Sequence, residues 1–138
     1  MIYRLDTQHA LWPECRKIRQ RVFVDEQQVP VSLEWDASDA VAMHLLAMVD
    51  KKAVACARVL DDGHIGRMAV LSEWRGQGIG EALLLQAIQE CQRLGVTHAG
   101  LSAQTHAINF YARAGFVVSS EPYLDANIMH VDMQLELV

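Results

Sequence analysis

Three glycines within five residues stand near the middle of the chain, in the stretch Arg75-Gly76-Gln77-Gly78-Ile79-Gly80. A mostly apolar run precedes it and predicts a strand over residues 65–71. After it, apolar residues recur at helical spacing and predict an amphipathic helix that ends at Gly95. These residues are Ile79, Leu83, Leu84, Ala87, Ile88 and Cys91. The sequence therefore predicts a strand, a glycine-rich turn and the start of a helix.

A glycine-rich turn at the start of a helix is suited to binding an anion. The first amide groups of a helix are unpaired and carry partial positive charge, and glycines let the backbone approach a ligand. Arg75 can add a charge-assisted hydrogen bond, which suits a pyrophosphate better than a carboxylate. We therefore expect a phosphate-bearing ligand at residues 75–80, against the alternative that the turn binds nothing.

The spacing of the glycines distinguishes between the common nucleotide-binding loops. The phosphate loop of ATPases needs a Lys-Ser/Thr pair after its last glycine, but here Glu81-Ala82 follows. A dinucleotide-binding fold has GxGxxG near the start of a βαβ unit, whereas this chain has GxGxG in its middle. The pattern disfavours both ATP hydrolysis and NAD binding.

Outward from this stretch, the rest of the chain predicts further strands and helices. Strands are predicted at residues 2–5, 42–49, 53–60, 99–103, 116–118 and 128–137, and helices after a cap at Thr7 and at residues 107–113. Residues 29–39 follow neither period and are interpreted as a surface loop. This order favours the α/β class, with helices packed on one mixed sheet. The 138 residues, 51% hydrophobic, fit a single domain over 1–138.

The charge of the chain argues against a nucleic-acid partner. The formal net charge is −5, and binding to a polyanion needs clustered basic residues. The one basic cluster is interpreted as a solvated helix face; it comprises Arg16, Lys17, Arg19 and Arg21.

The cysteines and the hydropathy argue against secretion and membrane insertion. Cys15, Cys56 and Cys91 are odd in number and widely spaced, so they predict neither disulfides nor a zinc site and are interpreted as buried apolar residues. No segment approaches the roughly 20 apolar residues that span a bilayer. We expect a cytoplasmic protein with no membrane partner.

Two motifs resemble those of a known family. Met68-Ala69-Val70-Leu71, the stretch at 75–80 and Ala82-Leu83-Leu84 resemble the acetyl-CoA-binding signature of the GNAT superfamily of N-acyltransferases, whose loop is R/Q-x-x-G-x-G/A. Phe110-Tyr111 with Gly115-Phe116 resembles its second signature, and residues 22–30 resemble the small bacterial YjcF/ElaA-like branch. The resemblance covers nearly the whole chain. It implies the GNAT fold, a central, mostly antiparallel mixed sheet flanked by helices, and an N-acetyltransferase that uses acetyl-CoA.

The resemblance also implies the residues of the acetyl-CoA site. Met68 and Val70 would offer main-chain groups to the pantetheine arm, and the loop would hold the pyrophosphate. The implied cofactor-binding set is Met68, Ala69, Val70, Arg75, Gly76, Gln77, Gly78, Ile79, Gly80, Gln104, Asn109, Phe110 and Tyr111. Where the superfamily often has Asn, seven residues before the tyrosine, this chain has Gln104. Asn109 lies nearer to the tyrosine, and either amide could contact the cofactor.

Tyr111 is the implied catalytic residue. A phenol with a pKa near 10 is protonated at neutral pH and would donate a proton to the departing CoA thiolate. The alternative is that Tyr111 is a core aromatic beside Phe110 and Phe116. Because no cysteine has a recognisable histidine partner, we expect direct attack of an amine on the thioester.

The base that accepts a proton from the amine is left open by the sequence. The candidates are His64, His106 and Glu26, or a chain of water molecules. His44 and His130 could face each other in the sheet, but they lack a nearby carboxylate, so no metal is expected.

The acceptor is not specified by the sequence. Carboxylates near Phe23 and Trp35 could attract a cationic amine or could simply be solvated; they are Asp25, Glu26, Glu34, Asp36 and Asp39. We expect acetylation of a primary amine of a small molecule or a protein, by a monomer or a homodimer. The alternative is a module that senses acyl-CoA with little or no turnover.

Overall fold

The computed structural model describes residues 1–137 as one mixed sheet with helices on its faces. The strands are β1 (Ile2–Leu5), β2 (Met43–Val49), β3 (Lys52–Val59), β4 (His64–Val70), β5 (His98–Gln104), β6 (Val117–Val118), β7 (Tyr123–Asp125) and β8 (Ile128–Glu136). The α-helices are α1 (Trp12–Arg19), α2 (Val31–Glu34), α3 (Ile79–Leu94) and α4 (Ile108–Ala112). A π-helical segment, Gln20–Glu26, continues α1, and 3-10 turns lie at Ala37–Val41, Ser72–Trp74 and Thr105–Ala107.

The sheet is antiparallel except at one pair of strands. Its order is β1-β2-β3-β4-β5-β8-β6, and β7 pairs with β8. β4 and β5 are parallel, and their ladder consists of two residue pairs, His64 with Gly100 and Ile65 with Leu101. The two strands diverge beyond these pairs. The predicted class, a mostly antiparallel mixed sheet flanked by helices, is confirmed.

A bulge in β4 changes which face of the sheet its side chains point to. Arg58 of β3 pairs with Gly66, but two residues earlier Cys56 pairs with Ala69, so β4 holds one extra residue. This residue is Arg67, whose φ is 49°. Because directly paired residues share a face, Gly66 lies on the face of Arg58.

Helices cover both faces of the middle strands. Leu45 of β2 belongs to the core under α3, and its neighbour Leu46 belongs to the core under α1. Strands buried on both faces contain continuous apolar runs, as β2 does at residues 45–49 and β3 at residues 53–57. The three cysteines are free and buried, as predicted.

The segment before β2 differs from the prediction. Helix α1 begins at Trp12 after Leu11, so Thr7 does not cap it. Residues 29–39 are not a solvated loop, since they contain α2 and the start of a 3-10 turn. The cause is Arg19, which was expected on a solvated face but is only 1% exposed. A buried guanidinium needs anionic partners, and this segment supplies them.

The short strand β7 was not predicted, because three residues are too few to display a period of two.

Among residues 1–137, no helix combines the length and apolar character that crossing a membrane requires.

Candidate functional site

A cavity of about 970 Å³ opens where β4 and β5 diverge. It is lined by β4, the glycine-rich loop, the start of α3, β5, α4 and the turn between β7 and β8. The predicted cofactor-binding residues in its lining are Met68, Ala69, Val70, Arg75, Gly76, Gly78, Ile79, Gly80, Gln104, Phe110 and Tyr111. Gln77 and Asn109 are exposed and lie outside this lining.

The glycine-rich loop presents unpaired amides at one end of the cavity. Gly76 and Gly78 have φ values of 78° and 83°. Residues with a side chain adopt this region of φ only with strain. Helix α3 begins directly after Gly78, so the amides of its first turn lack partners within the helix. At Gly80 an added Cβ would lie 3.4 Å from Phe110 Cζ. The loop is therefore shaped for an anion that approaches the backbone.

The outer edge of β4 faces the cavity, where the carbonyl of Val70 accepts a hydrogen bond from Nε of Arg75. The amide of Leu71 donates to the carbonyl of Val54 on β3 at 2.9 Å. Main-chain groups alternate between the two edges of a strand, so those of Met68 and Val70 point away from β3. β5 has already diverged at this level. An extended ligand with amide groups can occupy this edge as an added strand would.

Arg75 is committed to protein partners in this structure. Its Nη1 and Nη2 donate to the two carboxylate oxygens of Glu26 at 2.8 and 2.9 Å, and its Nε donates to the carbonyl of Val70 at 2.9 Å. The hydrogen bonds from Arg75 lower the pKa of Glu26. These bonds leave one N–H on each of Nη1 and Nη2 for a further acceptor such as a phosphate. Both carboxylate oxygens of Glu26 are engaged, so Glu26 is a poor candidate for the base.

Tyr111 is both a packed aromatic and part of the cavity wall. Its ring packs edge to face on Phe110, with centroids 5.0 Å apart, and on Phe116, at 6.3 Å. Burial raises the pKa of the Tyr111 phenol, so it is protonated at neutral pH. The two interpretations of Tyr111 are thus compatible.

Gln104, and not Asn109, lies in the cavity wall. Its Nε2 donates to Gln27 Oε1 at 2.7 Å, and its Oε1 lies 2.7 Å from Nε2 of His106. This hydrogen bond occupies one ring nitrogen of His106, which is exposed. Because the amide oxygen of Gln104 can only accept, Nε2 of His106 is the donor and Nδ1 keeps its lone pair. His106 therefore remains a candidate for the base.

His64 lies on the cavity wall at the point where the strands begin to diverge. An added Cβ at Gly66 would be 3.9 Å from its ring, and one at Gly100 would be 4.0 Å from its Nδ1. The ring makes no hydrogen bond within residues 1–137, so both nitrogens are available. Burial lowers the pKa of His64, and the nearby charges of Arg58 and Arg67 also lower it, so the imidazole is neutral at pH 7.

Three arginines and three carboxylates beside the cavity form a network that the sequence did not reveal. We call it the arginine cluster; it consists of Arg19, Arg58, Arg67, Glu34, Asp36 and Asp39. Arg19 pairs with Glu34 at 2.7 Å and Asp39 at 2.8 Å. Arg58 pairs with Asp36 at 2.7 Å and Asp39 at 3.1 Å.

The arginine cluster alters the expected role of the acidic segment. Arg67 pairs with Asp36 at 3.1 Å and approaches Glu34 at 3.4 Å, so each of the three carboxylates has a cationic partner. The charges of Glu34, Asp36 and Asp39 are thus already neutralised by arginines, which disfavours the interpretation that they attract a cationic amine. The alternative that they are simply solvated is wrong for Glu34 and Asp39, which are buried. No local pattern in the sequence indicates that the charged groups of the arginine cluster are buried, because their partners are distant along the chain.

His44 and His130, which the sequence left free to face each other, do not approach in the structure. They lie on β2 and β8, which are separated by three other strands. His44 Nε2 is 2.9 Å from the carbonyl of Asp39, and its ring is 4.4 Å from that of Trp12. Within residues 1–137, no three His, Cys, Asp or Glu side chains converge as a metal site.

Comparisons with known proteins agree with this geometry. The family profile described as Acetyltransferase (GNAT) domain matches residues 11–137. The N-acetyltransferase YjcF of Bacillus subtilis is 32% identical over 120 residues, which cover 84% of this chain and 86% of YjcF. An acyl-CoA N-acyltransferase structure from Pseudomonas aeruginosa has a TM-score of 0.86 at 34% identity and covers 97% of this chain and 98% of that one. The structure of Escherichia coli ElaA has a TM-score of 0.88 at 28% identity, with 99% of each chain covered.

Proposed function

Because the chain belongs to the GNAT family of acetyltransferases, we propose that it transfers the acetyl group of acetyl-CoA to a primary amine of a small molecule or a protein. One observation carries this proposal. A single cavity joins the outer edge of β4, the unpaired amides at the start of α3 and the phenol of Tyr111. These are the three parts that bind and cleave an acyl thioester of a long, pyrophosphate-bearing carrier.

Acetyl-CoA would lie along β4 with its pyrophosphate at the glycine-rich loop. The amides at the start of α3 would donate to the phosphate oxygens, since a helix N-terminus favours negative charge. The main-chain groups of Met68 and Val70 would bond the amides of the pantetheine arm. Gly80 leaves this arm room beside Phe110. Arg75 would keep its bond to Glu26 as a support of the loop and donate a remaining N–H to a phosphate.

The reaction would proceed by direct attack within a ternary complex. The amine nitrogen attacks the thioester carbonyl, the C–S bond breaks, and Tyr111 donates its proton to the departing thiolate. An acyl-enzyme on cysteine is disfavoured because burial raises the pKa of Cys15 to about 12 and that of Cys91 to about 11. Burial also raises the pKa of Cys56 well above the usual value. None of these thiols supplies a thiolate at neutral pH.

His64 is the base that we propose for the amine. An acceptor amine is mostly protonated at neutral pH and must lose a proton before attack. His64 is the candidate with a neutral imidazole, two free ring nitrogens and a position on the cavity wall. Glu26 uses both carboxylate oxygens in hydrogen bonds from Arg75. His106 keeps the lone pair of Nδ1, but it is exposed and its Nε2 is bonded to Gln104.

A thermal-shift series tests the cofactor assignment. The protein is heated with acetyl-CoA, CoA, ATP or NADH at equal concentration. A ligand at 100 times its dissociation constant adds about 2.7 kcal/mol of stability. We expect stabilisation by the two CoA species alone. A larger shift with ATP or NADH, or none with acetyl-CoA, would contradict the proposed function.

Tyr111→Phe separates an enzyme from an acyl-CoA sensor. The variant keeps the packing on Phe110 and Phe116 and removes only the hydroxyl. If Tyr111 is the acid, kcat falls on the order of a hundredfold while the affinity for acetyl-CoA stays within about twofold. A sensor would show no CoA release from the wild type with any amine tested, and the variant would bind acyl-CoA equally well.

A further inference from the structure

Two arginines of the arginine cluster keep unused hydrogen-bond donors at the cavity. Arg58 donates through Nη1 to Asp36 and Asp39, while its Nε is buried without a partner. Arg67 donates through Nε and Nη2. Within residues 1–137, no hydrogen bond involves Nη2 of Arg58 or Nη1 of Arg67. Both arginines line the cavity, and the Arg58 side chain is only 7% exposed.

The free donors of Arg58 form a complete binding edge. Nε and Nη2 lie on the same side of the guanidinium, and this edge accepts a carboxylate through two parallel hydrogen bonds. A buried donor without a partner costs free energy. Because Nε is out of contact with solvent, a ligand carboxylate would bond to Nη2 and reach Nε through a small rotation of the guanidinium. Of the buried side-chain nitrogen and oxygen atoms in residues 1–137, Nε of Arg58 alone lacks a partner.

Arg58, Arg67 and Glu34 of the arginine cluster line the cavity, whereas Asp36 and Asp39 do not. The lining therefore carries two guanidinium groups and one carboxylate, and that carboxylate is already paired with Arg19 at 2.7 Å. Asp36 and Asp39 hold Arg58 from outside the lining. The influence of both arginines reaches His64, since their charges help to keep its imidazole neutral.

The backbone at Arg67 is strained in a way that maintains this arrangement. Its φ of 49° lies in a region that residues other than glycine seldom adopt. Strain of this kind persists where the surrounding structure fixes it, and it is frequent at ligand sites. Arg67 is the extra residue of the β4 bulge, and its guanidinium is held by the carbonyls of Leu33 and Glu34.

We propose that the acceptor is a small amino acid or a similar compound, whose carboxylate binds to Arg58 and Arg67 while its amine faces His64. This inference rests on the proposed function. Arg58 is paired with Gly66, two residues from His64, so the anion site and the base are separated by about 6–7 Å along the strand. A carboxylate fits better than a phosphate, because a dianion would meet the three carboxylates of the cluster.

A comparison of acids with their amides tests this proposal. CoA release is measured with acetyl-CoA and a panel of the twenty common L-amino acids, β-alanine and 4-aminobutyrate, each beside its carboxamide. The amide keeps the amine and removes the negative charge. We expect at least one acid to exceed its amide in kcat/KM by on the order of tenfold to a hundredfold, the range for hydrogen bonds to a charged group.

Variants of the two arginines identify the source of the preference. Arg67→Gln, at a side chain 25% exposed, should bring the ratio of acid to amide close to one. Arg58→Gln should also bring this ratio close to one. If the Arg58 variant does not fold, Arg67→Gln alone tests the anion site. The matched control is Arg93→Gln, an exposed arginine on α3 outside this cavity, which should leave the ratio unchanged.

The outcomes separate this proposal from the proposed function. Stabilisation by acetyl-CoA tests the cofactor assignment alone, and its loss would refute that assignment. If acetyl-CoA stabilises the protein but amides and simple amines are acetylated as well as the acids, the anion site is refuted. The same holds if no acid in the panel is acetylated, or if Arg67→Gln keeps the full preference.

Discussion

Replacing Arg19 by Met should destabilise the protein strongly, although Arg19 lies on a helix whose neighbouring basic residues are exposed. The Arg19 side chain is 1% exposed and donates to Glu34 at 2.7 Å, to Asp39 at 2.8 Å and to the carbonyl of Glu34 at 2.9 Å. Methionine fills much of the same volume but supplies no charge. The carboxylate of Glu34, which is 3% exposed, then loses its nearest cation.

The size of the effect follows from the partners that remain. Removing one member of a buried ion pair costs about 3–5 kcal/mol. Arg67 still approaches Glu34 at 3.4 Å, and Arg58 still pairs with Asp39 at 3.1 Å. Burial already raises the pKa of Glu34, so this group can take up a proton and limit the loss. We therefore expect about 3 kcal/mol, a large share of the 5–15 kcal/mol typical of a domain.

Urea unfolding followed by far-ultraviolet circular dichroism measures this change. The control is Arg16→Met, one turn away on α1, whose exposed guanidinium lies 5.0 Å from the centroid of the Trp35 ring. It should cost less than about 1 kcal/mol. Adding Glu34→Gln to Arg19→Met should recover part of the loss, because the buried carboxylate that lost its nearest cation is then removed, while Asp39 keeps its pair with Arg58. A loss for Arg19→Met as small as that of the control would refute the argument from buried charge.

Two further substitutions test the turn before β4 and the proposed base. Gly63→Ala should cost about 2–4 kcal/mol in urea unfolding, because φ is +90° and the new Cβ would lie 2.7 Å from the carbonyl of His98. Gly95→Ala, with φ +77° and open space around it, is the control and should cost about 1 kcal/mol; equal losses would contradict the steric argument. His64→Gln should lower kcat/KM and abolish the acid limb of its pH profile. Since the pKa of His64 is lowered, that limb in the wild type should lie below about pH 6.5; an unchanged limb in the variant would assign it to another group.

The sequence predicted those parts of the molecule that local patterns determine. Strand β4, the glycine-rich loop and α3 follow from apolar periodicity and from glycines at a helix start, so their bounds agree with the structure to within about a residue. The cysteines were correctly expected to be buried. Most of the cofactor-binding residues that the family motifs imply line one cavity in the structure.

The arginine cluster was not predicted, because its energetics depend on distant pairs. Arg19 and Glu34 are 15 residues apart, and Arg67 and Glu34 are 33 apart. A basic residue in a helix and an acidic residue in an aperiodic segment each look solvated when considered alone. Only the pairing in three dimensions makes burial of both favourable.

The two halves of the cavity therefore differ in how the chain specifies them. The proposed cofactor half depends mainly on backbone amides at one glycine-rich turn, so a local motif predicts it. The acceptor half that we propose depends on side chains of β3, β4 and the segment before β2, which the arginine cluster holds together. The β4 bulge joins the halves, because Arg67 belongs to one and Met68 to the other. Acceptor selectivity can thus change by substitution in the arginine cluster while the cofactor site stays intact, which is the outcome that Arg67→Gln tests.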